Sequence, residues 1–125
     1  MNALTNAILS YLHRHPLVES VRVINYDETP AGKVELKIRC RLIHNYQFQV
    51  WLHIESSFLD YAYQLFTSRP ILRWDNAPHY PQIATAPHHF HADDTSIDES
   101  KLSGRVLEDL PQVLAVVGYW IEKES

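Results

Sequence analysis

From Lys33 to Leu42 the chain alternates without a break. Val34, Leu36, Ile38, Cys40 and Leu42 fall on one parity, and Lys33, Glu35, Lys37, Arg39 and Arg41 on the other. Successive side chains of a strand point to opposite faces, so this period of two fits a strand with one face on a core and the other in solvent. Such a strand needs partners, and its neighbours carry the same pattern. Upstream, Val21 and Val23 alternate with Arg22, ahead of the turn run Asp27-Glu28-Thr29-Pro30-Ala31-Gly32. Downstream, Asn45 and Tyr46 make a tight return, and Phe48, Val50, Leu52 and Ile54 alternate with Gln49, Trp51 and His53. Leu59 to Thr67 gives a fourth strand with Tyr61, Tyr63 and Leu65 on one parity, and Ser68-Arg69-Pro70 turns into a short fifth, Ile71 to Trp74. Consecutive strands with short connections imply an antiparallel meander of four to five strands.

Helical spacing flanks the meander. Leu4, Ile8, Tyr11 and Leu12 give an amphipathic helix over Asn2 to His13, stopped by Pro16. Val113, Leu114, Val117, Trp120 and Ile121 give a second at the C-terminus. Pro111 is tolerable in a first turn, which makes Asp109 the expected N-cap and Ser103 to Glu108 a preceding turn or short helical piece. Asp75 to about Lys101 follows neither period. A proline- and histidine-rich segment of that length is usually functional or disordered, and its aromatic and proline content favours function. The expected fold class is α+β: a helix, the meander, a long irregular segment, a helix.

Composition narrows the class. A chain of 125 residues, 46% hydrophobic and 21% charged, fits one domain spanning 1–125 with its own core. A lone cysteine, Cys40, excludes an intramolecular disulfide and a Cys-rich zinc knuckle. The three glycines form no GxGxxG or GxxxxGK[ST] phosphate loop. Met1 to Ser10 has neither a basic region nor a long apolar run, and the longest uncharged stretch, Asn76 to Ala92, carries three prolines and four histidines. A cytoplasmic protein without a membrane segment is therefore expected. The net charge of −4 gives no global pull on nucleic acid, so such binding would need a local basic patch.

Chemistry is concentrated in one place. Of eight histidines, His79, His88, His89 and His91 lie within thirteen positions, close to Arg73, Asp75 and Asn76. Histidine exchanges protons near neutral pH, an aspartate can fix its tautomer, and an arginine can hold a phosphate or offset developing negative charge. Arg73, Asp75, His79, His88 and His91 are thus candidates for metal-free RNA cleavage. His79 would be the general base, His88 or His91 the general acid, and Asn76 would hold the turn. The same types could instead bind a divalent transition metal through Asp75, His79, His89 and His91, since His89 and His91 point to one side of an extended segment; no named metal motif is matched. His13, His15, His44 and His53 are isolated and read as surface or edge residues. If Lys37, Arg39 and Arg41 share a sheet face with Trp51 and His53, cations and rings would together suit single-stranded RNA. Tyr61, Tyr63, Trp74 and Asn76 complete the candidate substrate contacts, although residues such as Trp51, Tyr61 and Tyr63 are more often core than base-stacking platforms.

The run Arg73-Trp74-Asp75-Asn76-Ala77-Pro78-His79-Tyr80-Pro81, followed by Pro87-His88-His89-Phe90-His91, resembles the TumE family of bacterial toxins. That family carries an RWDNAPHHP-type stretch and then PHHKH. Tyr61 and Tyr63 are similar to the YxY that precedes the motif, and the C-terminal helix fits the family's ending. Tyr80 stands where a second histidine is usual, and Phe90 replaces a cation. The resemblance implies a small cytoplasmic toxin neutralised by a helix-turn-helix antitoxin of the Xre type, encoded next to it. A non-enzymatic module that inhibits its target by binding is the alternative to catalysis. Exposed sheet edges and the apolar C-terminal helix could also support a homodimer.

Overall fold

The computed structural model describes residues 1–124. Helix α1 (Ala3–Arg14) precedes strands β1 (Val18–Glu28), β2 (Val34–Leu42), β3 (Gln47–Glu55), β4 (Phe58–Phe66), β5 (Pro70–Asp75), β6 (His89–His91) and β7 (Ile97–Glu99), and helix α2 (Val106–Glu124) closes the chain. The strands form one antiparallel sheet in sequence order, β1 to β7. The α+β architecture is the expected one, extended at one edge. Two short strands come from inside the segment expected to be irregular, because three residues are too few for a period of two to stand out.

Local chemistry explains the boundaries. Asn2 caps α1 by accepting from the Thr5 N–H at 2.8 Å. Between β2 and β3 the chain reverses through His44 and Asn45, both at positive φ (60° and 64°), a conformation that asparagine tolerates well. Helix α2 begins at Val106, three residues before the expected cap. Asp109 lies inside the first turns, fully buried, and reaches back to accept from Ser103 N (2.9 Å), Ser103 Oγ (3.0 Å) and Gly104 N (2.8 Å). Its carboxylate holds the entry loop instead of capping the helix. Gly104, at φ 88°, supplies the left-handed residue that this loop needs. Pro111 therefore sits in the helix interior; the carbonyl it leaves without an N–H belongs to exposed Leu107, where water can serve it.

Strand parity sorts the side chains into two faces. One face carries Ile38, Cys40, Phe48, Val50, Tyr63, Leu65 and Leu72, all buried against Ile8 and Leu12 of α1 and Leu110, Val113, Leu114 and Val117 of α2. Fully burying a side chain of this size contributes about 1.5–3 kcal/mol, which makes this layer the stabilising core. The opposite face is set by cross-strand pairing. One transverse row reads Arg22 (β1), Arg39 (β2), Gln49 (β3), Gln64 (β4), Arg73 (β5) and His91 (β6). Neither helix covers that row, and its side chains are half-buried or exposed.

Candidate active site

Pairing of β5 with β6 builds the site. Arg73 stands opposite His91 and Asp75 opposite His89, so alternation sends all four side chains to the open face. Trp74 and Phe90, the intervening pair, turn to the core, where their rings lie 4.9 Å apart. Asp75 is the hub. Oδ2 accepts from Arg73 Nε at 2.8 Å and lies 3.4 Å from His91 Nε2; Oδ1 accepts from the Ala77 N–H at 3.0 Å and lies 3.0 Å from His89 Nε2. His89 Nδ1 donates to the Pro87 carbonyl at 2.9 Å. With that bond made, Nε2 can donate to Asp75 only when the ring carries both protons. Tyr80 packs edge-on against His89 and His91, with ring centroids at 4.8 and 5.8 Å.

Exposure divides the four groups. Asp75 and His89 are nearly enclosed, at 7% and 2% of side-chain surface, whereas Arg73 (41%) and His91 (28%) reach solvent. Burial by itself would raise the Asp75 carboxyl. The Arg73 hydrogen bond, the Ala77 N–H and the charges of His89 and Arg73 outweigh it, and the carboxyl is held below its ordinary value. For His91, desolvation is the largest influence and the charges of His89 and Arg73 act in the same direction; against them Asp75 favours the charged ring, and the net shift is downward from 6.5. The exposed histidine of the cluster is thus biased towards its neutral form and oriented by a carboxylate.

A small cleft of 190 Å3 opens beside Arg73 and Asp75, with Trp51, Asp60, Ala62 and Pro78 among its walls. Asn76 fixes its rim: Oδ1 accepts from the Tyr61 N–H (2.9 Å) and Nδ2 donates to the Leu59 carbonyl (2.7 Å), so the side chain is fully engaged with the β4 backbone. Farther along the same face, Lys37 pairs with Trp51, Arg39 with Gln49 and Arg41 with Gln47. The cations of β2 therefore do share a face with Trp51 and His53. His53 itself is held between Glu35 and Glu55.

Other expected residues lie elsewhere. His88 is outside the cluster: its Nδ1 pairs with the Tyr61 hydroxyl at 2.7 Å and its ring stacks on Tyr61, facing the core side of the sheet. Tyr61, Tyr63 and Trp74 are buried in that layer and do not reach the open face. His79 is exposed on the turn after β5 and does not join Asp75, His89 and His91, whose ligand-type atoms all lie within 4.8 Å of one another. His89, considered from the sequence only as a metal ligand, proves to be the buried brace of Asp75. Its parity with His91 was the available signal. Gln49 and Gln64 carried none, because their role follows from register alone.

The fold and site together define a small α+β protein with an uncovered, cation-bearing sheet face and an Asp-braced histidine beside an arginine. The family described as Toxin TumE matches residues 8–123, and the chain belongs to that family. Neither the curated proteins nor the solved structures compared with the chain gave a match. Membership makes the protein a toxin and implies an antitoxin partner. Among the described residues no helix is long and apolar enough to cross a membrane.

Proposed function

We propose that this toxin is a ribonuclease acting in the cytoplasm, with His91 as general base and Arg73 as phosphate ligand. The observation that carries the reading is the pairing of Arg73 with His91 on the face that also bears Lys37, Arg39, Arg41 and Trp51. His91 directs Nε2 at Asp75, which leaves Nδ1 to take the proton of a ribose 2′-hydroxyl. The 2′-oxygen then bonds to phosphorus and the bond to the 5′-oxygen breaks, giving a 2′,3′-cyclic phosphate. Arg73 spends Nε on Asp75 and Nη1 on Gln64, so Nη2 remains to offset charge on the phosphoryl oxygens. His89 is too enclosed to protonate the leaving group; exposed His79 on the neighbouring turn is the candidate donor, and solvent the substitute. Trp51 beside the cleft offers a π-face to a splayed base. The antitoxin, of the helix-turn-helix Xre type, would neutralise the toxin by covering this face. The test is incubation of purified protein with cellular RNA in the presence of a chelator: cleavage with cyclic-phosphate ends is expected, and intact RNA from a preparation that still arrests growth on expression overturns the enzymatic reading.

One observation supports a second reading. Asp75, His89 and His91 converge as three N/O ligands, and His89 Nδ1 is anchored on a backbone carbonyl, as metal-binding histidines commonly are. These three could hold a divalent transition metal whose open position polarises a phosphoryl oxygen. Stoichiometric metal in untagged protein and chelator-sensitive turnover would favour it.

A further inference from the structure

The cation-bearing end of the open face holds a depression of its own, distinct from the cleft at Asp75. Ser20, Arg22, Arg39, Arg41, Asn45 and Gln47 line it, with a volume of 450 Å3. Three guanidinium groups and no carboxylate are among these residues. Arg22 and Arg39 stand directly opposite each other on β1 and β2, an arrangement of like charges that destabilises a bare sheet. Among the described residues neither forms an ion pair; Arg41 alone does, with Glu19 at 3.3 Å on the exposed rim. Arg39 is held in place by two bonds to Gln49 Oε1 (2.8 and 3.3 Å) and by packing over the Phe66 ring. A fixed guanidinium beside a second one and a third, with polar amide and hydroxyl groups around them, matches the chemistry of a phosphodiester oxygen.

The register relates this depression to the cluster. Arg39, Gln49, Gln64, Arg73 and His91 are successive members of one transverse row. Arg39 is therefore four strand spacings from His91, about 19 Å across the sheet. An extended single strand advances about 6 Å per nucleotide, so that distance spans about three or four phosphates of a chain tracking a polar groove.

Resting on the ribonuclease reading above, we propose that Arg22, Arg39 and Arg41 form a remote phosphate subsite, and that a single RNA strand crosses the sheet perpendicular to its strands. The scissile phosphate lies at Arg73 and His91, and a phosphate three or four nucleotides away lies between Arg22 and Arg39.

The test uses DNA oligonucleotides with a single ribonucleotide, which fixes the cleaved bond, lengthened one nucleotide at a time on either side. A step of tenfold or more in kcat/KM is expected when the third or fourth phosphate is added on one side. Replacing that one phosphate by a neutral methylphosphonate should remove the step without any change to the protein. In Arg22→Ala, an exposed position, the ratio of long-substrate to short-substrate kcat/KM should fall towards one. Cleavage that is indifferent to length, or a step that survives both the methylphosphonate and Arg22→Ala, overturns the subsite while leaving the ribonuclease reading intact. Failure to cleave any of these substrates overturns both.

Discussion

His89 Nε2 stands 3.0 Å from Asp75 Oδ1, and scarcely any of either side chain meets solvent. This contact, with the Arg73 bond on the other carboxylate oxygen, holds the end of β5 against β6 and sets the direction of His91, the exposed histidine of the cluster. Removing the carboxylate leaves a guanidinium and an enclosed imidazole facing each other. Breaking one partner of a buried ionic network costs about 3–5 kcal/mol. Asp75→Ala should lose that much stability in urea unfolding, and a loss below about 1 kcal/mol would show that the hub is not holding the strand pair.

The same carboxylate predicts a pH dependence. Its folded-state pKa is depressed below the ordinary 3.8, so the stabilisation it contributes is present above about pH 4 and is lost as pH falls through the lower folded value. Unfolding midpoints measured from pH 6 to pH 2 should drop in the acid range for the wild type. The drop should be smaller in Asp75→Ala, which has already lost the contribution.

His91 carries the catalytic prediction. It is half-buried, its ring is shifted downward from 6.5, and it must be neutral to accept a proton. Activity should therefore rise with pH along a limb whose midpoint lies below 6.5. His91→Gln should lose about 100-fold or more in rate, the usual worth of a positioned base, while unfolding within about 1 kcal/mol of the wild type. A limb centred above 6.5 would contradict the assignment.

Two buried tyrosines give a contrasting pair. The Tyr61 hydroxyl is bonded to His88, whereas the Tyr63 hydroxyl is buried without a hydrogen-bond partner among the described residues. Tyr61→Phe should cost about 1–2 kcal/mol and Tyr63→Phe should be neutral or stabilising, by thermal or urea unfolding. Both variants should stay toxic, because neither ring lies on the open face.

The parts of this protein that were legible from sequence are those with long periods. Nine alternating residues of β2 admit no other assignment, and the register they set carries Lys37, Arg39 and Arg41 to one face with Trp51. The three residues of β6 offered no such length. The histidine cluster misled for a related reason: adjacent residues in extended chain face opposite ways, so His88 turns to Tyr61 while His89 turns to Asp75. That Arg73, Asp75 and His91 converge was suggested by residue type, but their meeting depends on β5 pairing with β6 across a thirteen-residue connection. The place of Asp109 before Pro111 points to a cap, yet its carboxylate serves the loop ahead of the helix, which only tertiary burial decides.

The most direct measurement is cleavage of a 5′-labelled single-stranded RNA by purified wild-type toxin and by His91→Gln, side by side in chelator. A general base at His91 requires fragments ending in 2′,3′-cyclic phosphate with the wild type and at least a 100-fold slower reaction with the variant. Equal cleavage by the two proteins, or growth arrest by a wild-type toxin that leaves RNA intact, would contradict it.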